Sequence, residues 1–161
     1  MKKIKTLIFT LLIMSSVVNA QDIKKVIVFH GRRVPFNSQK IMDLSYQNLK
    51  NVPTLISNSE IEILILDNNN IEKLPAWIGN LKNLKVLSVR NNNLIEFNSK
   101  ISFCENLEQL YLSGNKYLSD LPSMSFCEKL ELIDVVDTSI NEVPGWVELL
   151  DSLYCFKYSE K

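Results

Sequence analysis

The chain has 161 residues, 46% of them hydrophobic, with 18 basic and 18 acidic side chains, three cysteines and a single histidine. This length suits about one domain with a sizeable core. Balanced charge without a recognition motif argues against a nucleic-acid partner, and one histidine cannot build a His-rich metal centre, so no cofactor and no metal are expected.

Residues 1–20 have the three-part order of a cleaved secretory signal peptide. Lys2, Lys3 and Lys5 form a positive start, Leu7 to Val18 is mostly apolar, and Val18-Asn19-Ala20 supplies small residues at the cleavage site. The apolar stretch is too short for a membrane span, so the mature chain is expected to have no integral membrane segment. The residue directly after Ala20 is Gln21 and not a cysteine, which argues against a lipoprotein anchor. Export to the periplasm or the extracellular space follows as the expected localisation. Removal of the signal leaves 15 basic against 18 acidic residues. Residues 21–60 carry six basic and three acidic side chains, and residues 61–161 carry nine and fifteen. The scattered cations of the basic end read as solvated side chains.

Residues 21–38 are expected to form an N-terminal cap. Val26-Ile27-Val28-Phe29 is a strand-like run and His30-Gly31 a turn signal. From residue 39 to 161 one pattern recurs. Leu84, Leu87, Val89, Asn92, Leu94 and Phe97 make one copy. Ile61, Leu64, Leu66, Asn69, Ile71, Leu74 and Pro75 make the copy before it, and Leu107, Leu110, Leu112, Asn115, Leu118, Leu121 and Pro122 the copy after. A further copy runs Leu130, Ile133, Val135, Thr138, Ile140, Val143 and Pro144. A looser one begins at Met42, and Leu153, Phe156 and Tyr158 supply a final strand. About five repeats precede that strand. Asn69, Asn92 and Asn115 stand 23 residues apart.

A fixed period of this size resembles the leucine-rich repeat family, in its 23-residue LxxLxLxxNxLxxLP form. The resemblance implies an α/β-type solenoid, a right-handed coil with a parallel concave β-sheet and short 3-10, helical or irregular convex segments. The spacing supports it independently: in Leu64-Ile65-Leu66 and Leu87-Ser88-Val89 inward residues alternate with outward ones, as in a strand. One coil cannot cover its own apolar face, so successive coils must stack. The asparagine at each turn both donates and accepts, and is expected to bond to main-chain groups as the family's asparagine ladder does. Ile78 and Leu81, Ile101 and Cys104, Met124 and Cys127, and Val147 and Leu150 are expected to point into the core from the convex side.

Cys104 and Cys127 lie one repeat apart and are candidates for a disulfide, since stacked coils can bring Cα atoms within the ~4.4–6.8 Å that a bridge requires. As thiols they would simply be small core hydrophobes. Phe103 and Phe126, with Leu149 next in register, are expected to stack as convex core packing. Trp77 and Trp146 share a repeat position that also accepts Lys100 and Ser123, and are expected to be half exposed.

An enzyme is not expected. His30 lies in the cap, far along the stack from Cys155, beyond the reach a Cys–His pair needs. No phosphate loop or nucleophile elbow occurs. With the repeats running to a sixth strand at residues 153–158, the catalytic domain that some leucine-rich repeat effectors carry after the repeats is not expected.

Function is expected on the concave sheet. Asp43, Ile65, Ser88, Tyr111, Asp134 and Lys157 form one outward row. Ser45, Asp67, Arg90, Ser113, Val136 and Ser159 form the next, and Ile41, Ile63, Val86, Gln109, Leu132 and Cys155 a third. Ile63, Ile65, Val86 and Tyr111 would give an exposed apolar centre, with Asp67, Ser88, Arg90 and Asp134 around it, the anatomy of a protein-binding patch. By analogy with ligand-binding solenoids, the expected function is capture of a protein ligand by a secreted repeat protein. Two alternatives stay open: a self-association module, with homodimers formed at an open C-terminal edge, and a carbohydrate-binding surface protein.

Overall fold

The computed structural model describes residues 26–29, 32–35, 40–56 and 60–159. The expected signal peptide, the turn at His30 and most of the expected cap lie outside these. The chain falls into two units, divided between Phe36 and Asn37. In the first, β1 (Val26–Phe29) pairs antiparallel with β2 (Arg32–Pro35), Phe29 opposite Arg32. Pro35, which has no N–H to give, ends its strand, where a missing ladder bond costs least.

The second unit is a solenoid of six coils, each contributing one three-residue strand to a single parallel sheet. The strands are β3 (Ile41–Asp43), β4 (Ile63–Ile65), β5 (Val86–Ser88), β6 (Gln109–Tyr111), β7 (Leu132–Asp134) and β8 (Cys155–Lys157), paired in sequence order. Met42, Leu64, Leu87, Leu110, Ile133 and Phe156 stand directly beside one another. Their side chains share the inner face, and the flanking residues share the outer one, because successive residues of a strand point to opposite sides.

Behind the sheet lies one continuous apolar core. Leu64, Leu66, Leu84, Leu87, Val89, Leu107, Leu110, Leu112 and Ile133 are fully buried in it, as are Ile78, Leu81, Ile101 and Met124 from the convex side. Val147 is only half-buried. Trp77 and Trp146 are half-buried against the core's edge.

Each of the first five coils turns through a left-handed residue after its strand, and the first coil has a second, Asn48. Tyr46, Asn68, Asn91, Gly114 and Asp137 all have positive φ, between 52° and 80°, and fall in register. Asn and Asp tolerate this region better than most side-chain-bearing residues. The next residue bonds the coils together. Asn69 accepts the N–H groups of Gln47 and Leu49 at 3.0 Å each, and donates to the carbonyls of Leu44 and Leu66 at 2.9 and 2.8 Å. Asn92 accepts from Ile71 and donates to Leu66 and Arg90. Asn115 accepts from Leu94 and donates to Val89 and Leu112. Buried main-chain groups at the turns thus find partners that water would otherwise supply.

On the convex side the chain crosses in short 3-10 turns: η1 (Thr54–Ile56), η2 (Ala76–Asn80), η3 (Ser99–Phe103) and η4 (Gly145–Leu149). Pro75 and Pro144 stand extended before η2 and η4. Their rings fix φ at a helix-compatible value where no N–H is needed. Before η3 the proline is replaced by Asn98, whose side chain accepts the N–H of Lys100 at 3.0 Å and so caps the turn instead. η2 and η3 approach closely at Gly79, where an added Cβ would lie 2.3 Å from the carbonyl oxygen of Lys100.

Cys104 and Cys127 are free thiols, fully buried. The disulfide considered from the sequence is not formed. Each Sγ points back one coil, that of Cys104 towards the carbonyl of Ile78 at 3.2 Å and that of Cys127 towards the carbonyl of Ser102 at 3.6 Å. The two thiols therefore lie in series rather than facing one another. Burial pushes the Cys104 thiol up to about 11 and the Cys127 thiol to about 12. Both stay protonated at neutral pH, which suits packing and not nucleophilic attack.

Candidate functional site: the concave sheet

The three outward rows stand in the expected register. Asp43, Ile65, Ser88, Tyr111, Asp134 and Lys157 are direct neighbours across the sheet, as are Ile41, Ile63, Val86, Gln109, Leu132 and Cys155. Their exposure differs from expectation. Tyr111 is 0% exposed, and Ile63, Ile65, Val86, Ser88 and Asp134 are also buried. The apolar centre is therefore not a bare patch. Strand alternation states which face a side chain leaves from, and says nothing of what closes over it. Part of that closure is visible in the rows themselves, which stand about 4.8 Å apart and let large side chains pack side by side. The guanidinium of Arg90 lies over the Tyr111 ring, 4.1 Å from its centre. The Tyr111 hydroxyl donates to Gln109 Oε1 at 2.9 Å. Ile63, Ile65, Val86 and Tyr111 stay outside the main core, forming a second apolar layer on the sheet's other face.

Over this layer lies a linked polar array. Asp67 accepts the Ser88 hydroxyl at 2.6 Å and the N–H of Arg90 at 2.9 Å. Arg90 Nη2 reaches Asp134 Oδ2 at 3.4 Å. Burial holds the Asp67 carboxyl above its ordinary range, against the lowering effect of Ser88 and Arg90. Solvent reaches this array at the row that follows the strands, where Asp67, Arg90, Ser113 and Val136 are all half-exposed. Of the residues singled out from the sequence, Asp67 and Arg90 are thus accessible. Tyr111, Ser88 and Asp134 lie beneath or beside them and fix their positions. Gln109, placed in its row but not assigned a role from the sequence, anchors the tyrosine.

A charged rung flanks the sheet at its entering edge. Glu62 binds Lys40 from the coil before and Lys85, at 2.9 Å, from the coil after. Hydrogen bonds from Lys40 first and Lys85 second hold the Glu62 carboxyl below its usual range. Among the described residues no group of three His, Cys, Asp or Glu could hold a metal ion, and no helix is long and apolar enough to cross a membrane.

One expectation about the convex face is overturned. Phe103, Phe126 and Leu149 are not packed into the core but are 43%, 66% and 69% exposed. They end the convex turns with their side chains outside, and the cysteine or leucine that follows each of them is the residue that turns inward.

Comparison with known proteins agrees with this architecture. Residues 59–117 match the family model described as leucine rich repeat. Among solved structures, the leucine-rich repeat protein LIC12759 of Leptospira interrogans is 24% identical, with a TM-score of 0.52, over 77% of this chain and 44% of that one. The leucine-rich repeat domain of the type III effector XCV3220 (XopL) is 23% identical, with a TM-score of 0.45, over 61% of this chain and 42% of that one. The chain thus spans less than half the length of either structure. A search of the curated proteins finds no match. The fold is a leucine-rich repeat solenoid.

Proposed function

We propose that this chain is an exported, non-catalytic recognition module that binds a protein partner through the half-exposed row along its concave sheet. The observation that carries the reading is Arg90, held between the Tyr111 ring and the Asp134 carboxylate with its side chain still 20% exposed. A guanidinium whose conformation is already fixed loses little freedom on binding, and Arg is among the residue types that dominate protein interfaces. Asp67, fixed by Ser88, sets an acceptor beside that donor. The buried thiols support a non-catalytic role, since neither is ionised at neutral pH. The signal-like order of residues 1–20 supports export.

A crosslinking pull-down from the native secretome, with wild type beside Arg90→Ala, tests the proposal. A protein captured by wild type and lost with the variant, which keeps its β circular dichroism, supports it. Equal capture by both removes the concave row from consideration, and recovery of a glycan alone replaces the protein-binding reading with a carbohydrate one.

A further inference from the structure

The ladder of Phe103, Phe126 and Leu149 stands on three successive coils, exposed at every step. Scattered surface hydrophobes are ordinary, but an apolar row in register is a contiguous feature that asks for a partner. The ends of this row carry opposite charge. At Phe103, the ammonium of Lys100 lies 5.1 Å and that of Lys82 5.6 Å from the ring centre. At Leu149 the neighbours are Glu148 and Asp151, both exposed.

We infer that this convex ridge docks a second copy of the same chain, antiparallel, about a twofold axis at Phe126. Such an axis sets Phe126 against its own counterpart, and Phe103 of each copy against Leu149 of the other. Lys82 and Lys100 of one copy then face Glu148 and Asp151 of its partner, twice over. A twofold interface requires a surface complementary to itself, and a ridge positive at one end and negative at the other meets that requirement. A parallel arrangement would place like charges together, which complementary interfaces avoid. The ridge is small beside the ~800 Å² per partner of a standard interface, so the dimer is weak, with dissociation on the order of 10–100 µM.

Sedimentation velocity of the purified chain from roughly 5 to 500 µM, bracketing that range, tests the inference. The expected result is a monomer–dimer equilibrium that weakens in high salt. Phe126→Asp, at an exposed site and with an unchanged melting curve, is expected to give monomer throughout. Lys100→Glu and Glu148→Lys are each expected to weaken the dimer about tenfold, and the double variant to restore it to within about threefold of wild type. A monomer at every concentration, a dimer indifferent to Phe126→Asp, failure of the charge exchange to restore association, or growth into open polymers would each overturn it. None of these outcomes bears on capture through Arg90, which lies on the sheet's outer face.

Discussion

Asn92 accepts the N–H of Ile71 from the coil before its own and returns a donor to the carbonyl of Leu66 in that same coil. One side chain thus satisfies the Ile71 N–H, which no strand ladder reaches, and shares the Leu66 carbonyl with Asn69. Removing a partner while leaving the buried groups in place costs about 1–3 kcal/mol for each group. Asn115→Ala, which removes the partner of both the Leu94 N–H and the Leu112 carbonyl, is therefore expected to lower stability by roughly 2–4 kcal/mol in urea unfolding, and Asn92→Ala by about 1–3 kcal/mol.

Leu87 and Leu110 stand side by side in the sheet with no solvent exposure. Leu110→Ala is expected to cost about 2–5 kcal/mol, and Leu87→Asp to abolish the cooperative melt, because it places an unpaired carboxylate in the shared core. A Leu87→Asp chain that still melts cooperatively would refute the stacked-core account.

The two carboxyls beside the sheet predict opposite responses to pH. Glu62 is held below its ordinary 4.5 by Lys40 and Lys85, so its contribution is present above that value and lost as pH falls through the lowered one. Glu62→Gln is expected to destabilise the protein near neutral pH by no more than about 1 kcal/mol, since both pairs are at the surface, and to match wild type in strong acid. Asp67 is held above its ordinary 3.8 by burial. Its favourable contribution is present below that value and lost as pH rises through the raised one. Asp67→Asn is expected to reduce that loss. Urea melts at several pH values from strong acid to neutral check both signs.

Thiol chemistry separates the three cysteines. Cys104 and Cys127 are fully buried and protonated at neutral pH, while Cys155 in β8 is half-buried. A thiol reagent at neutral pH is expected to label Cys155 first, with Cys104 and Cys127 reacting only on unfolding. Peptide mapping by mass spectrometry reads the order.

Much of this architecture was legible from residue identity. Every pairing in the six-stranded sheet follows from the alignment of Met42, Leu64, Leu87, Leu110, Ile133 and Phe156, because a period-two pattern fixes the face and a fixed repeat fixes the neighbour. Exposure was not legible. Tyr111 leaves from the outer face yet is covered, because cover depends on neighbours such as Arg90 and Gln109. Phe126 is bulky and apolar yet outside, because the adjacent cysteine takes the inward direction at that turn. The Cys104 and Cys127 thiols share a register but not a facing direction, and repeat spacing carries only the former.

The left-handed step shared by Tyr46, Asn68, Asn91, Gly114 and Asp137 has a consequence for how such a chain can change length. Each 23-residue stretch brings its own reversal and leaves the path where it found it, displaced by one rung. A duplicated stretch inserted in frame arrives with its corner already formed, so a chain of this kind grows or shrinks in whole rungs, while a gain or loss of one or two residues between strands has to be absorbed in the looser convex crossing.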